Sequence, residues 1–154
     1  MKKLLILVSL IFLFSAIGAA NAQTRKSVSA AEVNGTFRSY FGGKFKGNYN
    51  EVKILALGDR KLRVALQLTY PFIDGTGEMS ANVGAADGTA TIEGDTAIFS
   101  PDESGQCKIT IKFIRRDTIE VSQSGTDGEC GFGHNVNADG MYKKASRAKP
   151  KFEQ

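Results

Sequence analysis

Apolar and polar residues alternate with a period of two along much of this chain, and this alternation restricts its fold more than any other feature. Between Lys61 and Tyr70, every second side chain is apolar. The apolar positions are Leu62, Val64, Leu66, Leu68 and Tyr70, and the positions between them are Lys61, Arg63, Ala65, Gln67 and Thr69. Because successive side chains of a β-strand point to opposite faces, this pattern predicts a strand with one buried face and one solvent-exposed face.

The same alternation returns in the second half of the chain. Cys107, Ile109, Ile111 and Phe113 alternate with Lys108, Thr110 and Lys112, and Ile119, Val121 and Gln123 alternate with Thr118, Glu120 and Ser122. Short polar segments at 58–60 and 115–117 have the composition of tight turns. The sequence therefore predicts two β-hairpins, which join strand 51–57 to strand 61–70 and strand 107–113 to strand 118–123.

Five further strands complete the predicted order, and glycine-containing turns separate them. These strands are 35–46, 77–85, 88–93, 95–100 and 134–143. No window of 11 or more residues after position 34 keeps its apolar positions at helical spacing. We therefore predict an all-β domain that is a single antiparallel meander β-barrel of about 8–9 strands, since closure removes exposed strand edges. A two-sheet β-sandwich is the alternative.

The first 22 residues have the three parts of a secretory signal peptide. Lys2 and Lys3 precede an apolar run from 4 to 14, and small residues at 20–22 form an Ala-x-Ala exit. The apolar run is shorter than the roughly 20 residues of a membrane-spanning helix. We predict cleavage after Ala22, which gives an exported chain that does not span the membrane. Its location is the periplasm of a Gram-negative bacterium or the extracellular medium.

Composition divides the rest of the chain into a linker, a barrel domain and a tail. Residues 23–34 are small and polar and predict a linker with room for one helical turn, residues 35–143 form the predicted barrel domain, and residues 144–154 form a basic C-terminal tail. Five basic residues lie in the last twelve positions, whereas residues 23–142 contain 13 basic and 15 acidic residues. Nucleic-acid binding proteins carry basic residues across a folded face, so we expect no nucleic-acid partner. The tail is either solvated or a tether to an anionic envelope surface.

Cys107 and Cys130 are the two cysteines of the chain. An even, small number of cysteines in an exported protein indicates a disulfide. The bond would close a loop of about 24 residues and stabilise the fold by roughly 3 kcal/mol in the chain-entropy description. A metal site that used both thiols and His134 would have only three ligands from one region, so we predict no metal.

Two loops supply the candidate binding residues. The segment Cys130-Gly-Phe-Gly-His-Asn would be held to the strand at Cys107 by the disulfide, and it would present Phe132, His134 and Asn135 at the rim of a binding mouth. Alternatively, the segment is a constrained connection in which Phe132 covers the core. The loop that follows the strand 61–70 adds Tyr70 and Phe72. Its carboxylates, Asp74 and Glu78, are too few for the six to eight oxygen ligands of calcium.

Signals of catalysis are absent from the sequence. The chain has one histidine and no nucleophile elbow, phosphate-binding loop or zinc-protease motif. We therefore predict no catalytic residues, no cofactor and no enzymatic activity.

Three stretches resemble a group of small exported bacterial proteins of unassigned function. They are Leu57-Gly-Asp-Arg-Lys-Leu-Arg-Val64, Cys107-Lys-Ile-Thr-Ile-Lys-Phe113 and Cys130-Gly-Phe-Gly-His-Asn-Val136. Related modules accompany lysozyme-inhibitor-like proteins in Gram-negative bacteria. The resemblance implies a calycin-like barrel and a bridge between the two cysteines, and it implies no catalytic residues. The inhibitory Ser-Gly loop of one family of periplasmic lysozyme inhibitors matches residues 104–108 poorly.

Two functions are compatible with this sequence. The first is a binding module that holds a small apolar ligand in the barrel or its mouth. The second is an envelope protein-interaction module, such as a lysozyme or hydrolase inhibitor, that acts through its rim loops. An open apolar pocket of a few hundred Å³ would favour the first, and an interior filled by its own side chains would favour the second. The sequence does not determine the oligomeric state.

Overall fold

Eight antiparallel strands dominate the computed structural model, which describes residues 27–101 and 105–152. In chain order the elements are helix α1 (Ala30–Val33), β1 (Gly35–Tyr40), a 3-10 helix (Gly43–Phe45), β2 (Tyr49–Gly58), β3 (Lys61–Ile73), β4 (Met79–Glu93), β5 (Thr96–Phe99), β6 (Lys108–Arg115), β7 (Thr118–Ser124) and β8 (Gly140–Ser146). The predicted signal peptide, residues 1–22, lies outside the described residues, as do residues 23–26 of the predicted linker.

Each strand pairs with the next one in the chain, and β8 pairs with β1, so the sheet closes into a barrel. The closing register places Phe37 opposite Lys144 and Thr36 opposite Ser146. The predicted antiparallel meander barrel is confirmed, and the sandwich is not formed. The alternation buries one face of the sheet, and the pairing of β8 with β1 closes that sheet so that it has no free first or last strand.

The predicted division of β3 into two faces is confirmed. Leu62, Val64, Leu66 and Leu68 are at most 2 % exposed, whereas Lys61 and Gln67 lie in solvent. The alternating positions of β6 and β7 also point inward, and Ile109, Ile111, Phe113, Ile119 and Val121 are buried. Tyr70 departs from the pattern, since its side chain is 41 % exposed and the neighbouring Pro71 is buried instead.

The predicted break between the strands 77–85 and 88–93, at Asp87 and Gly88, is wrong, because β4 is one continuous strand that pairs with β3 from Met79 to Thr91. Asp87 is an outward side chain of that strand and forms an ion pair with Arg63 across the β3–β4 ladder. Gly88 provides space rather than a turn, since a β-carbon there would lie 2.9 Å from the ring of Phe99. The nine predicted strands thus become eight.

The first and last strands also have other limits than predicted. Strand β1 ends at Tyr40, and the 3-10 helix follows it within the segment that we had assigned to the strand. Strand β8 begins at Gly140 rather than at 134, because residues 134–139 belong to the loop that covers one end of the barrel. It ends at Ser146, so residues that we had assigned to the tail pair with β1.

Helix α1 covers the end of the barrel that contains the three tight turns, which we call the turn end. Ser29 and Glu32 form a reciprocal N-terminal cap, and Val33 inserts into the core. The Lys144 Nζ atom donates hydrogen bonds to the carbonyl oxygens of Ala31, Glu32 and Asn34 at 3.1, 2.7 and 2.9 Å. This ammonium satisfies backbone acceptors that a helix of one turn leaves free at its C-terminal end. Its burial there lowers the pKa of Lys144.

The opposite end, which we call the rim end, has the four longer connections. The connection between β7 and β8 lies beside β4 where β5 is too short to pair with it. Strand β5 pairs only with Thr91–Glu93 of β4, so the earlier part of β4 lacks a neighbouring strand on that side among the described residues. Residues 125–139, which we call the cap loop, lie beside it. The Gly133 amide donates to the Val83 carbonyl at 3.0 Å, and the Asn82 side chain donates to the His134 carbonyl at 2.7 Å. These two bonds hold the cap loop against β4.

Candidate functional site

The disulfide fixes the cap loop to the start of β6. Cys107 and Cys130 are bonded, with their Cα atoms 4.9 Å apart, as predicted. A short turn before Cys130 is held by Thr126 and Glu129, since the Thr126 amide donates to the Glu129 Oε2 atom at 2.7 Å and the Glu129 amide donates to the Thr126 Oγ1 atom at 3.2 Å. Tether and turn together define the path of the residues that follow.

Phe132 points from the cap loop into the barrel and is only 7 % exposed. It lies against Gly84 of β4, where a β-carbon would come within 2.8 Å of the Phe132 Cδ1 atom. Val136 and Ala138 of the same loop are also fully buried. Phe132 therefore covers the core, which is the alternative that the sequence left open for this residue.

Asn135 and His134 lie on the outer side of the cap loop, where Asp127 organises the backbone. The Asp127 Oδ2 atom accepts a hydrogen bond from the Asn135 amide at 2.7 Å, and its Oδ1 atom accepts one from the Gly128 amide at 2.8 Å. These bonds, with a smaller contribution from His134, lower the pKa of Asp127. Asn135 takes a positive φ of 62°, which asparagine tolerates better than most residues. The His134 side chain is 83 % exposed.

Tyr70 and Asn135 meet at two adjoining cavities on the rim end, which together we call the rim cleft. The cavities have volumes of about 380 and 160 Å³, and both are lined by Tyr70, Asn135, Asn137 and Asp139. Of the five binding residues that the sequence predicted, the structure thus brings two together at this cleft. Phe132 lies in the core, while Phe72 and His134 do not line either cavity.

Hydrogen-bonding groups dominate the rim cleft. The Asp139 Oδ1 atom accepts a hydrogen bond from the Gln123 amide at 2.6 Å, and the Asn137 side chain accepts one from the Asp139 amide at 3.1 Å. Beneath them the buried Tyr142 hydroxyl donates to the Ala138 carbonyl at 2.9 Å, and burial raises the pKa of Tyr142. These hydrogen bonds hold the backbone of the cleft, and the amide and carboxylate residues Asn135, Asn137 and Asp139 line both of its cavities.

Sequence reasoning missed Asn137, Asp139 and Gln123 as lining residues. Val136 and Ala138 point inward and the polar residues between and after them point outward, so the period-two pattern continues through the loop. Attention to that pattern could have indicated the two polar positions. Gln123 had been assigned to the inner face of β7, and its place beside the cleft depends on the path of the cap loop across the end of the barrel.

Apolar side chains are exposed next to the rim cleft, at the tip of the β3–β4 hairpin. β2 pairs with β3 only as far as Gln67, so the hairpin projects beyond its neighbour. Four side chains on the projection are exposed by 41–66 %, namely Tyr70, Ile73, Met79 and Val83. Tyr70 continues the inward row of Leu66 and Leu68 and lines the rim cleft, whereas Ile73, Met79 and Val83 lie on the outer face of the hairpin. Large apolar side chains that are exposed side by side, as the paired Ile73 and Met79 are, mark interaction sites.

The interior of the barrel is filled by its own side chains. Leu62, Val64, Leu66, Ile109, Ile111 and Phe113 are 0–2 % exposed, and Phe37, Ile54, Phe99 and Tyr142 are at most 1 % exposed. A cavity that admits a water molecule would leave accessible area on the side chains that surround it. These side chains therefore pack against one another, as the cores of small barrels do.

The rim end is acidic. The described residues of its four connections include five carboxylates and two lysines. The carboxylates are Asp74, Glu78, Asp127, Glu129 and Asp139, and the lysines are Lys44 and Lys46. Asp74 accepts hydrogen bonds from the Thr76 hydroxyl, the Thr76 amide and the Glu78 amide, which lower its pKa. No group of three or more histidine, cysteine or carboxylate side chains within the described residues has the arrangement of a metal site.

No family model, curated protein or solved structure matches this chain. In residues 27–101 and 105–152, no helix has the length and hydropathy of a membrane-spanning segment.

Proposed function

We propose that this protein is a non-enzymatic interaction module that binds a basic partner protein through its rim end. The observation that carries the proposal is the contrast between a filled interior and an open, polar cleft with an exposed apolar hairpin tip beside it. Protein interfaces combine buried aromatic anchors with a polar surround, and the rim end offers Tyr70 next to the amides and carboxylates of the cleft.

Charge supports a basic partner. The five rim carboxylates include Asp127 and Asp74, whose lowered pKa values keep them ionised. An acidic surface attracts basic proteins at long range and increases the rate of encounter, and salt weakens the effect. The affinity of the protein for this partner should therefore fall as ionic strength rises.

The predicted signal peptide and the resemblance to exported proteins suggest where the partner acts. We propose that the mature chain begins at Gln23 and works in the periplasm or outside the cell. A lysozyme-type hydrolase is the partner class that this resemblance suggests, and the protein would act on it as an inhibitor. The candidate with a small apolar ligand is supported less well, because the inward side chains fill the barrel.

Calorimetric titration of the mature, oxidised chain with a basic lysozyme tests the proposal. We expect binding at about 50 mM salt that weakens at about 500 mM salt. Replacing Tyr70, which lines both cavities of the rim cleft, by Ala should weaken binding at least tenfold. Leu57→Ser is the matched control, because Leu57 is 55 % exposed but lies beside the tight turn between β2 and β3.

Two results would contradict the proposal in different ways. Absence of binding at low salt would reject a basic lysozyme as the partner. Native mass spectrometry of protein purified from the periplasm tests the second candidate function, the binding of a small apolar ligand. A stoichiometric apolar molecule retained by the protein would favour a ligand site inside the barrel over partner binding at the rim end.

A further inference from the structure

The C-terminal tail, which after β8 comprises the described residues 147–152, lies across the outer face of the barrel and is held there by two contacts, which we call its anchors. Arg147 forms an ion pair with Asp117 at the turn between β6 and β7. Phe152 lies over Arg63 of β3, with the guanidinium carbon 5.5 Å from the centre of the ring. Between these anchors Ala148, Lys149 and Lys151 are exposed. The tail therefore crosses several strands but is held mainly at its two ends.

Phe152 covers one end of a groove on the outer face of β2, β3 and β4, which we call the outer groove. A cavity of about 220 Å³ beneath Phe152 adjoins one of about 470 Å³, and Glu51, Gln67 and Ala85 line both. The cross-strand register explains this, because Glu51, Gln67 and Ala85 stand opposite one another on the three strands. The second cavity continues to Thr69 and Gly131, and Phe152 does not line it.

The chemistry of the outer groove is that of a peptide site. Small side chains at Ala65 and Ala85 leave the strands accessible, and Gln67 and Thr69 supply amide and hydroxyl groups. The Glu51 side chain is almost fully buried at the groove, where its carboxylate pairs with Arg38 at 2.7 Å and Lys53 at 3.7 Å. Because the backbones of these strands are paired with one another, an extended segment would contact the groove through the side chains of Gln67 and Thr69 and the small surfaces of Ala65 and Ala85.

Both tail anchors leave a polar atom unsatisfied. Within the described part of the chain, the buried side-chain atoms that lack any hydrogen-bond partner are Arg63 Nε and Asp117 Oδ1. Each belongs to one of the two residues that hold the tail. Buried polar atoms without partners are uncommon in folded proteins and call for an explanation. The contacts of Arg147 with Asp117 and of Phe152 with Arg63 therefore leave one polar atom of each anchor residue without a hydrogen bond.

We propose that the outer groove is a docking site for an extended peptide segment of a partner protein, and that the C-terminal tail covers it as a weak intramolecular occupant. The preferred segment carries a basic residue and an aromatic residue at the spacing of Arg147 and Phe152. It supplies an acceptor for the Arg63 Nε atom and a donor for the Asp117 Oδ1 atom, the two atoms that have no hydrogen-bond partner beneath the tail. The site lies on the outer face of β2–β4, and it shares Thr69 with the rim cleft but not Asn137 or Asp139.

Competition between the tail and a free peptide tests this proposal. The probe is a fluorescent peptide with the sequence of residues 147–152, and the receptor is a chain that ends at Ser146, whose fold is checked by its thermal unfolding. We expect saturable binding to the shortened chain and at least tenfold weaker binding to the full chain, because the covering tail reduces the fraction of open groove. The full chain with Phe152→Ala should bind the peptide almost as well as the shortened chain.

Variants of the peptide and NMR shifts locate the contact. Phe152→Ala in the peptide should weaken binding at least fivefold, whereas Lys149→Ala, at an exposed position, should leave it unchanged. Amide signals of Ala65, Gln67 and Ala85 should shift on titration, and those of Asn137 and Asp139 at the rim cleft should not. Lack of shifts in the shortened chain at millimolar peptide, or equal affinity of the full and shortened chains, would overturn the proposal.

Discussion

Gly84 of β4 and Phe132 of the cap loop share one space, because a β-carbon at position 84 would lie 2.8 Å from the Phe132 Cδ1 atom. The missing side chain on the strand is thus replaced by a ring from the loop. The same relation joins Gly88 to the ring of Phe99. The small inward side chains of β4 therefore allow aromatic rings from other elements to complete the core.

Gly84→Ala should destabilise the protein by about 1–3 kcal/mol, because the added methyl group overpacks the site and forces Phe132 and the loop to move. Gly128→Ala in the same loop is the control, since a β-carbon at position 128 meets no atom within 4 Å. That change should stay within about 0.5 kcal/mol. Urea unfolding of the oxidised proteins gives both values, and equal effects would contradict the packing of Phe132 against β4.

Loss of the disulfide should destabilise the barrel by about 2–5 kcal/mol. Cys107 and Cys130 are both buried, and their bond holds the loop that covers the core. Cys130→Ser and addition of reductant to the wild type should give similar losses in chemical unfolding experiments. If reductant has no effect on the wild type while the substitution destabilises it, packing of the buried sulfur rather than the bond would be responsible.

The two faces of β3 should differ strongly in their response to truncation. Leu66→Ala removes a buried side chain and should cost about 2–5 kcal/mol of unfolding free energy. Gln67→Ala acts on the outer face and should stay within about 0.5 kcal/mol. Equal costs would mean that the strand has another register, since a shift of one residue exchanges the faces.

Acid should destabilise the cap loop through Asp127. The folded pKa of Asp127 lies below its unfolded value of about 3.9, so the unfolded chain binds more protons and stability falls as pH drops below about 5. Asp127→Asn cannot titrate and should flatten this part of the stability curve. Asp74→Asn should flatten it further, because the Asp74 pKa is lowered in the same direction. Unfolding free energies measured from pH 7 to pH 3 check both, and a wild-type slope that persists in the double variant would contradict the assignment.

Local pattern was sufficient to predict the barrel and the direction of its side chains. The alternation from Leu62 to Leu68 gave the buried face of β3, and the two cysteines in a predicted exported chain gave the disulfide. The length of β4 could not be predicted in the same way. Its glycines and alanines resemble turn residues locally, and the rings that need the space come from Phe99 and Phe132, the latter about 50 residues away.

The candidate site was predictable only in part for the same reason. Tyr70 and Asn135 were singled out as loop residues, yet their meeting depends on the path of the cap loop, which follows from the disulfide and from the packing of Phe132. The place of Phe152 over Arg63 had no local signal at all, because the contact joins the tail to a strand almost 90 residues earlier. Long-range packing of this kind is not encoded in the periodicity of either segment.

Titration of the mature, oxidised chain with a fluorescent apolar probe such as N-phenyl-1-naphthylamine tests most directly whether the protein acts through its surface. Because the inward side chains of β3 and β6 from Leu62 to Leu68 and from Ile109 to Phe113 are at most 2 % exposed, we expect no saturable binding to the wild type. Leu66→Ala should acquire weak binding if the space it vacates remains open. Saturable one-to-one binding to the wild type, lost when Leu66 is replaced by Trp, would show a hollow barrel and contradict the account.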